Sequence, residues 1–194
     1  MEFLSFNCRF DNQILILYSI HPNPIVKKNT AMRELKPISN KGIQRALEKV
    51  DRYRLLNDPI EAESICRDIL AIEPDNQKAI IMYVLILTDQ FNQGVTSKKP
   101  NELLPKISDD FKREYYRGII LEREAKAALS RGLPGCQHDA YEWLEEAMEA
   151  FQRADKISPD DDDGAILRWN ACVRTIEKYR LTVRPPQGRE LPLE

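Results

Sequence analysis

No two of the four cysteines, Cys8, Cys66, Cys136 and Cys172, stand close enough in the chain to make a CxxC redox motif or half of a structural zinc site. Cys66 and Cys172 fall on apolar helical faces, so buried free thiols are expected, which suits a reducing compartment. Histidine is nearly absent. His21 and His138 lie in expected loops, and Cys136-Gln137-His138 offers two metal ligands without the cluster that would complete a site. The 7 glycines build no phosphate-cradling loop and no nucleophile elbow. The chain is therefore read as a non-enzyme that needs no cofactor or metal.

Long apolar runs are missing too. The longest, Ile14 to Tyr18 and Ala79 to Leu87, fall far short of the roughly 20 residues that a bilayer-spanning helix demands. Glu2, Arg9 and Asp11 interrupt the N-terminus, and no small-residue cleavage site follows Ile20, so it makes a poor export signal. A cytoplasmic protein without a membrane partner is the expectation. Charge of one sign is also lacking: 29 basic and 31 acidic side chains leave a net charge of -2 and no general attraction for phosphate backbones. A nucleic-acid partner is not expected.

What is present is a helix-leaning composition, 42% hydrophobic and 31% charged, in a chain long enough for one domain with a sizeable core. It also repeats itself. Glu61, Ala62, Ile72, Pro74 and Asp75 recur as Glu146, Ala147, Ile157, Pro159 and Asp160, each pair offset by 85 (159 less 74). Ala62, Cys66 and Ile69 precede the first proline as Ala147, Phe151 and Ala154 precede the second, and this spacing puts each trio on one helical face. An apolar helix stopped at a proline, then acids, then another apolar run, reads as helix, tight turn and new helix.

Residues 1–40 read as an irregular N-terminal extension. The first 31 mix Phe, Asn and Pro with a β-prone run, Gln13 to Ile20, and Met32 opens a polar lead into a helix, so Met32 is read as the natural start. Helices are expected at about Lys41 to Leu56, capped by Ser39 or Asn40, and at Pro59 to Ala71 after a short Asn57-Asp58 link. The third, Asn76 to Phe91, is apolar all round its centre and must be covered on several sides. Asn92 to Ile107, with Gly94, Lys98-Lys99-Pro100 and Pro105, predicts a loop holding at most one short helix at Glu102 to Leu104. Further helices are expected from Asp109-Asp110 to Ser130, ended by Gly132 and Pro134, then from Asp139 to Ile157 and from Asp163 to Leu181. The last should bury Ile166, Trp169, Val173 and Ile176, and residues 182–194 read as a disordered tail.

The order of small, bulky apolar, small or apolar residue and proline resembles the second half of a tetratricopeptide repeat: once as Ala62, Cys66, Ile69 and Pro74, again as Ala147, Phe151, Ala154 and Pro159. Tyr53 and Asn57 stand where that family favours an aromatic and a turn residue, and Gly118 occupies a close-packing position. The family period of about 34 residues makes two units about 68 long, so the offset of 85 leaves about 17 extra residues between Lys126 and Tyr141. The resemblance covers roughly residues 41–181. It implies an all-α, right-handed stack of antiparallel helix pairs, about three irregular units plus a capping helix. Ala46 and Val50 depart from the first unit's usual tryptophan and small residue. Leu47 and Asp51 stand where members that grip acidic chaperone tails carry Lys and Asn, so that ligand class is not expected.

The remaining features have bland readings. In Asp160-Asp161-Asp162-Asp163-Gly164, aligning the glycine with that of a calcium loop leaves Asn170 where a bidentate Glu is needed, so the acids are read as helix caps. Glu61 with Glu63, and Glu145 with Glu146, diverge round a helix and read as solvated surface. Lys98, Lys99, Arg113 and Arg117 make a small basic spot diluted by acids. Tyr115, Tyr116, Tyr141 and Trp143 serve either as core or as a ligand-facing group.

By resemblance, the chain holds a peptide or partner protein against a concave side lined by first helices, with Asp51, Arg54, Lys78, Ile81, Leu85 and Asp89 as groove residues assigned from repeat phase. Burial of Ile81 and Leu85 would drive capture, and the flanking charges would orient the partner. The alternative is a structural module in which a homodimer covers the apolar third helix.

Overall fold

The computed structural model describes residues 33–185, so the β-prone run and the expected start at Met32 lie outside the described residues. The chain divides into two units, Met1–Leu35 and Lys36–Glu194. Within the second, the described residues are helical and contain no strand.

A 3-10 turn at Asn40–Gly42 leads into α1 (Ile43–Leu55). Ser39 and Asn40 give no side-chain cap, because the turn closes through the backbone, Gly42 N–H donating to Ser39 O at 2.8 Å. Ile43, Leu47 and Val50 form its buried stripe. The corner after it needs Asn57 at φ 57, a conformation asparagine tolerates, and Asp58 Oδ1 accepts from Glu61 N–H to cap α2 (Pro59–Ile72). Here Ala62, Cys66 and Ile69 are all buried, as their spacing requires.

Asn76 starts α3 (Gln77–Asp89), its Oδ1 accepting from Ala79 N–H at 2.9 Å. Ile80, Val84, Ile86 and Leu87 have essentially no exposure, so α3 is wrapped rather than amphipathic. Its cover comes from α1, α2, the following linker and α5, all within this one chain.

That linker holds more structure than expected. A 3-10 turn at Phe91–Gln93, α4 (Lys98–Leu103) and a 3-10 turn at Leu104–Lys106 replace the loop, and α4 starts before the expected Glu102. Pro100 sits in the first turn of α4, where the missing N–H costs nothing, and the helix forms because Phe91, Pro100, Leu104 and Ile107 are buried.

The longest pair follows. Asp109 caps α5 (Asp110–Arg131) through Lys112 N–H, and Gly132, at φ 64, ends it. Gly135, at φ 82, then lets α6 (Cys136–Asp155) begin three residues before the expected Asp139. Gly118 is where the pair touches most closely: a Cβ there would lie 2.5 Å from Cε1 of Phe151.

Asp162 Oδ1 accepts from Gly164 N–H at the head of α7 (Gly164–Tyr179), while the N-cap residue Asp163 makes no side-chain cap bond, so the acidic run caps less than expected. Cys172 of α7 is a buried free thiol as expected, but the rest of the stripe differs. Ala165 and Cys172 are buried, Val173 and Ile176 half-buried, and Ile166 and Trp169 remain 43% and 40% exposed. Two small residues seven apart let α7 approach α6 closely, and among the described residues no later helix covers the bulky side chains left at its margin. Beyond α7, Leu181 is buried, Thr182 O lies 3.0 Å from His138 Nδ1, and Arg184 pairs with Asp139. These contacts fasten the start of the segment read as a tail; its remainder lies outside the described residues.

Three apolar clusters result: α1–α2–α3, α5–α6–α7, and one joining α3 to α5 through Phe91, Leu104 and Ile107. Gly118→Ala should cost about 1–3 kcal/mol by overpacking, read as a lower urea midpoint. In a Phe151→Leu background the same change should cost measurably less, because the opposing ring is gone.

Candidate functional site

Lys78, Ile81, Leu85 and Asp89 are separated by three, four and four residues, which sets them along one face of α3. Helix α1 brings Asp51 and Arg54 beside that face: Lys78 Nζ lies 3.8 Å from Asp51 Oδ2, and Arg54 Nε donates to Asp89 Oδ2 at 3.0 Å. All six groove residues expected from repeat phase are thus close together. Their charges satisfy one another, however, leaving Ile81 and Leu85 half-buried between two ion pairs.

Helix α5 extends the row with a residue that the sequence reading missed. Arg123 pairs with the second Asp89 oxygen and donates to Leu85 O at 3.2 Å and Thr88 Oγ1 at 2.6 Å. One carboxylate therefore ties three helices together. Arg123 follows Asp89 by 34 residues, and that interval was the available signal. Next to it, Glu122 is 1% exposed and pairs with Lys126 and, at 3.5 Å, with Arg168 of α7; its Oε2 has no hydrogen-bond partner among the described residues. A hollow of about 230 Å³ lies at this end of the row, lined by Thr88, Asp89, Arg123 and Lys126 among others.

The aromatic group is resolved in favour of packing where contacts are defined. Tyr115 sits among Phe111, Tyr116 and Phe151 with ring centroids 5.9, 5.4 and 5.8 Å away, and Tyr141 and Trp143 pack on the same cluster. Of the expected basic spot, Arg113 is tied to Asp110 and to Ile107 O, Arg117 lies 3.5 Å from Glu114, and Lys99 reaches away to Glu63. Burial pushes the thiols of Cys66 and Cys172 up to about 12, so neither is a ready nucleophile at neutral pH. Among the described residues, no group of three His, Cys, Asp or Glu side chains stands close enough to hold a metal, and no helix is long and apolar enough to cross a membrane.

A second polar cluster holds α4 in place. Glu63 accepts from Lys99 Nζ at 2.8 Å, Gln90 Nε2 at 3.0 Å and Tyr83 Oη at 3.2 Å, and Lys99 also sits over the Tyr83 ring. Burial works to raise the Glu63 carboxyl, but the three donors and the lysine charge outweigh it and hold the group below its ordinary 4.5. The hydrogen bonds that Lys99 donates to Glu63 and Tyr83 hold it above its ordinary value, against the opposing effect of burial.

No family model, curated protein or solved structure matches this chain.

Because the folded Glu63 value is depressed, its stabilisation is complete above about pH 4.5 and is lost as pH falls through the folded value. Glu63→Gln should therefore lower stability at neutral pH and flatten the acid limb of a urea-midpoint against pH curve below that point. The raised Lys99 value works in the opposite sense: its contribution holds at neutral pH and fades only in strong alkali, above its ordinary 10.5.

Proposed function

We propose that residues 41–181 form a tetratricopeptide-like stack whose job is to hold a peptide or partner protein on the row made by α1, α3 and α5. One observation carries the reading: residues chosen only by repeat phase, Asp51, Arg54, Lys78, Ile81, Leu85 and Asp89, meet on adjoining helices and are stitched together by ion pairs. Three further features support it. Alternate helices touch, α1 with α3, α3 with α5 and α5 with α7, as first helices of stacked pairs would. Gly118 meets Phe151 at the position where the resemblance places a close approach. Arg123 repeats the phase of Asp89 one unit later.

On this reading, Asp89 between two guanidiniums and Asp51 beside Lys78 set the geometry of the surface, while Ile81 and Leu85 supply apolar area for a partner side chain to cover. Leu47 lies in the core at 4% exposure, so the first helix lacks the lysine that a carboxylate-gripping member would present there.

The test is partner capture from the source cell. Leu85→Asp, with its helical circular dichroism intact, should weaken capture at least about tenfold, close to 1.4 kcal/mol. Lys78→Glu, at a more exposed position, should weaken it less and make it more salt-sensitive. Unchanged capture by both folded variants would remove the row from consideration.

A further inference from the structure

Helix α5 carries both signs of charge along its length, and most of that charge is matched. Arg113 pairs with Asp110, Lys112 with Asp109, Arg117 with Glu114, Arg123 with Asp89, and Lys126 with Glu122. Two charged residues of the helix, Glu124 and Arg131, have no ion pair among the described residues. Both line one hollow of about 280 Å³.

The hollow exists because the linker is a short cover for a long helix. Ile120, Glu124, Ala127 and Arg131 follow each other by four, three and four residues on one face of α5, and Ile120 and Ala127 share an apolar cluster with Phe91, Leu104 and Val95. Against the 22 residues of α5, α4 offers six, about 9 Å of helix. The chain reaches α4 round a corner at Gly94, where φ is 93 and a Cβ would meet nothing within 4 Å. Phe91, Val95 and Ala127 make the apolar wall of the space left over.

Its two charged groups are held by uncharged partners. Glu124 Oε1 accepts from Ser97 Oγ at 2.7 Å, and Arg131 Nη1 donates to Phe91 O at 3.1 Å. Each bond fixes a head group and leaves the second carboxylate oxygen, or the rest of the guanidinium fork, without a hydrogen-bond partner among the described residues. No other charged side chain lines the hollow. Lys99, Arg123 and Lys126 are committed to Glu63, Asp89 and Glu122, and Lys98, beside Ser97 in the chain, is not paired with Glu124.

We propose that this hollow binds a small zwitterion, a short unbranched chain with an amine at one end and a carboxylate at the other. The amine pairs with Glu124, the carboxylate with Arg131, and the methylenes lie against Phe91, Val95 and Ala127. Charge-assisted bonds in a partly closed space are stronger than on open surface. The volume exceeds the roughly 150 Å³ cavity that takes benzene and falls just below the range of about 300–1,000 Å³ for drug-sized ligands, which suits a chain of a few carbons. Glu124 and Arg131 stand two turns apart, about 10 Å along the axis, and that separation favours charges at opposite ends over an α-amino acid, whose charges share one carbon. None of the six groove residues lines the hollow, so this site stands or falls separately from partner capture.

Titration of the full chain with 6-aminohexanoate, followed by amide chemical shifts, tests it. The shifts should saturate and centre on residues 91–97 and 124–131. Hexanoate lacks the amine, hexylamine lacks the carboxylate and 2-aminohexanoate brings both to one end, so each should bind at least about tenfold more weakly. Glu124→Gln should lower 6-aminohexanoate to the affinity of hexanoate, and Arg131→Gln to that of hexylamine, with melting curves unchanged. The four-ligand comparison on the unaltered chain decides the matter even where a variant fails to fold. No saturable shift, shifts centred elsewhere, or four ligands of equal affinity would each overturn the proposal, as would folded variants that bind 6-aminohexanoate as tightly as the wild type.

Discussion

A helix apolar round most of its circumference can face water only along a narrow strip, and α3 imposes that constraint on everything around it. Ile80, Met82, Tyr83, Val84, Ile86 and Leu87 are buried round all but the strip that carries Lys78, Ile81, Leu85 and Asp89, so neighbours must close on it from several directions. That requirement gives α4 its reason to form. Six residues with a proline in the first turn have little intrinsic helicity, and packing against α3, with the Glu63–Lys99 contact to α2, sets their conformation. The same constraint shapes the row: only Ile81 and Leu85 of the α3 apolar run keep partial exposure, flanked by charges that α1 and α5 neutralise.

The two halves of the unit solve their packing differently. Around α1 the core is an Ile43, Leu47 and Val50 stripe set against Ala62, Cys66 and Ile69 of α2, whereas α5 and α6 approach through Gly118, Ala147 and Ala154 around one large ring, Phe151. Small residues permit close contact over a long interface but offer little slack, so a single methyl at Gly118 has nowhere to go. Glu122 belongs to this tight half. Its buried carboxylate is matched on one oxygen by Lys126 and Arg168 and left without a hydrogen bond on the other among the described residues, an arrangement costly in itself that is retained at the α5–α7 junction.

Much of this was legible where a local signal coincided with the tertiary outcome. Pro59 marked the start of α2, Asn76 and Asp109 stand where α3 and α5 were read to begin, and the paired stripes before Pro74 and Pro159 are buried as their spacing demanded. Legibility failed where packing overrode local chemistry. Lys98-Lys99-Pro100 looks like a breaker and is a helix start, and Gly135 looks like loop and is a helix cap. In α7 Cys172 is buried as read, but Ala165 joins it in place of the bulky Ile166 and Trp169, because what decides contact there is how near α6 can come. Phase alone put Asp51, Arg54, Lys78, Ile81, Leu85 and Asp89 on adjoining helices, but the ion pairs among them were not legible, and Arg123 enters from a helix not considered for that surface.

The α5–α6 hairpin is longer than its neighbours: at about 1.5 Å per residue, the 22 residues of α5 outreach the 13 of α1 and α3 by roughly 13 Å. The stretch after α7 splints part of this length. Leu181 is buried in the hairpin's cluster, Thr182 meets His138, and Arg184 meets both Asp139 and Glu142 near the start of α6. The working limit of the folded unit thus lies past Arg184. A truncation made at the last turn of α7, where helical periodicity stops, would strip α6 of the brace on its opening turns.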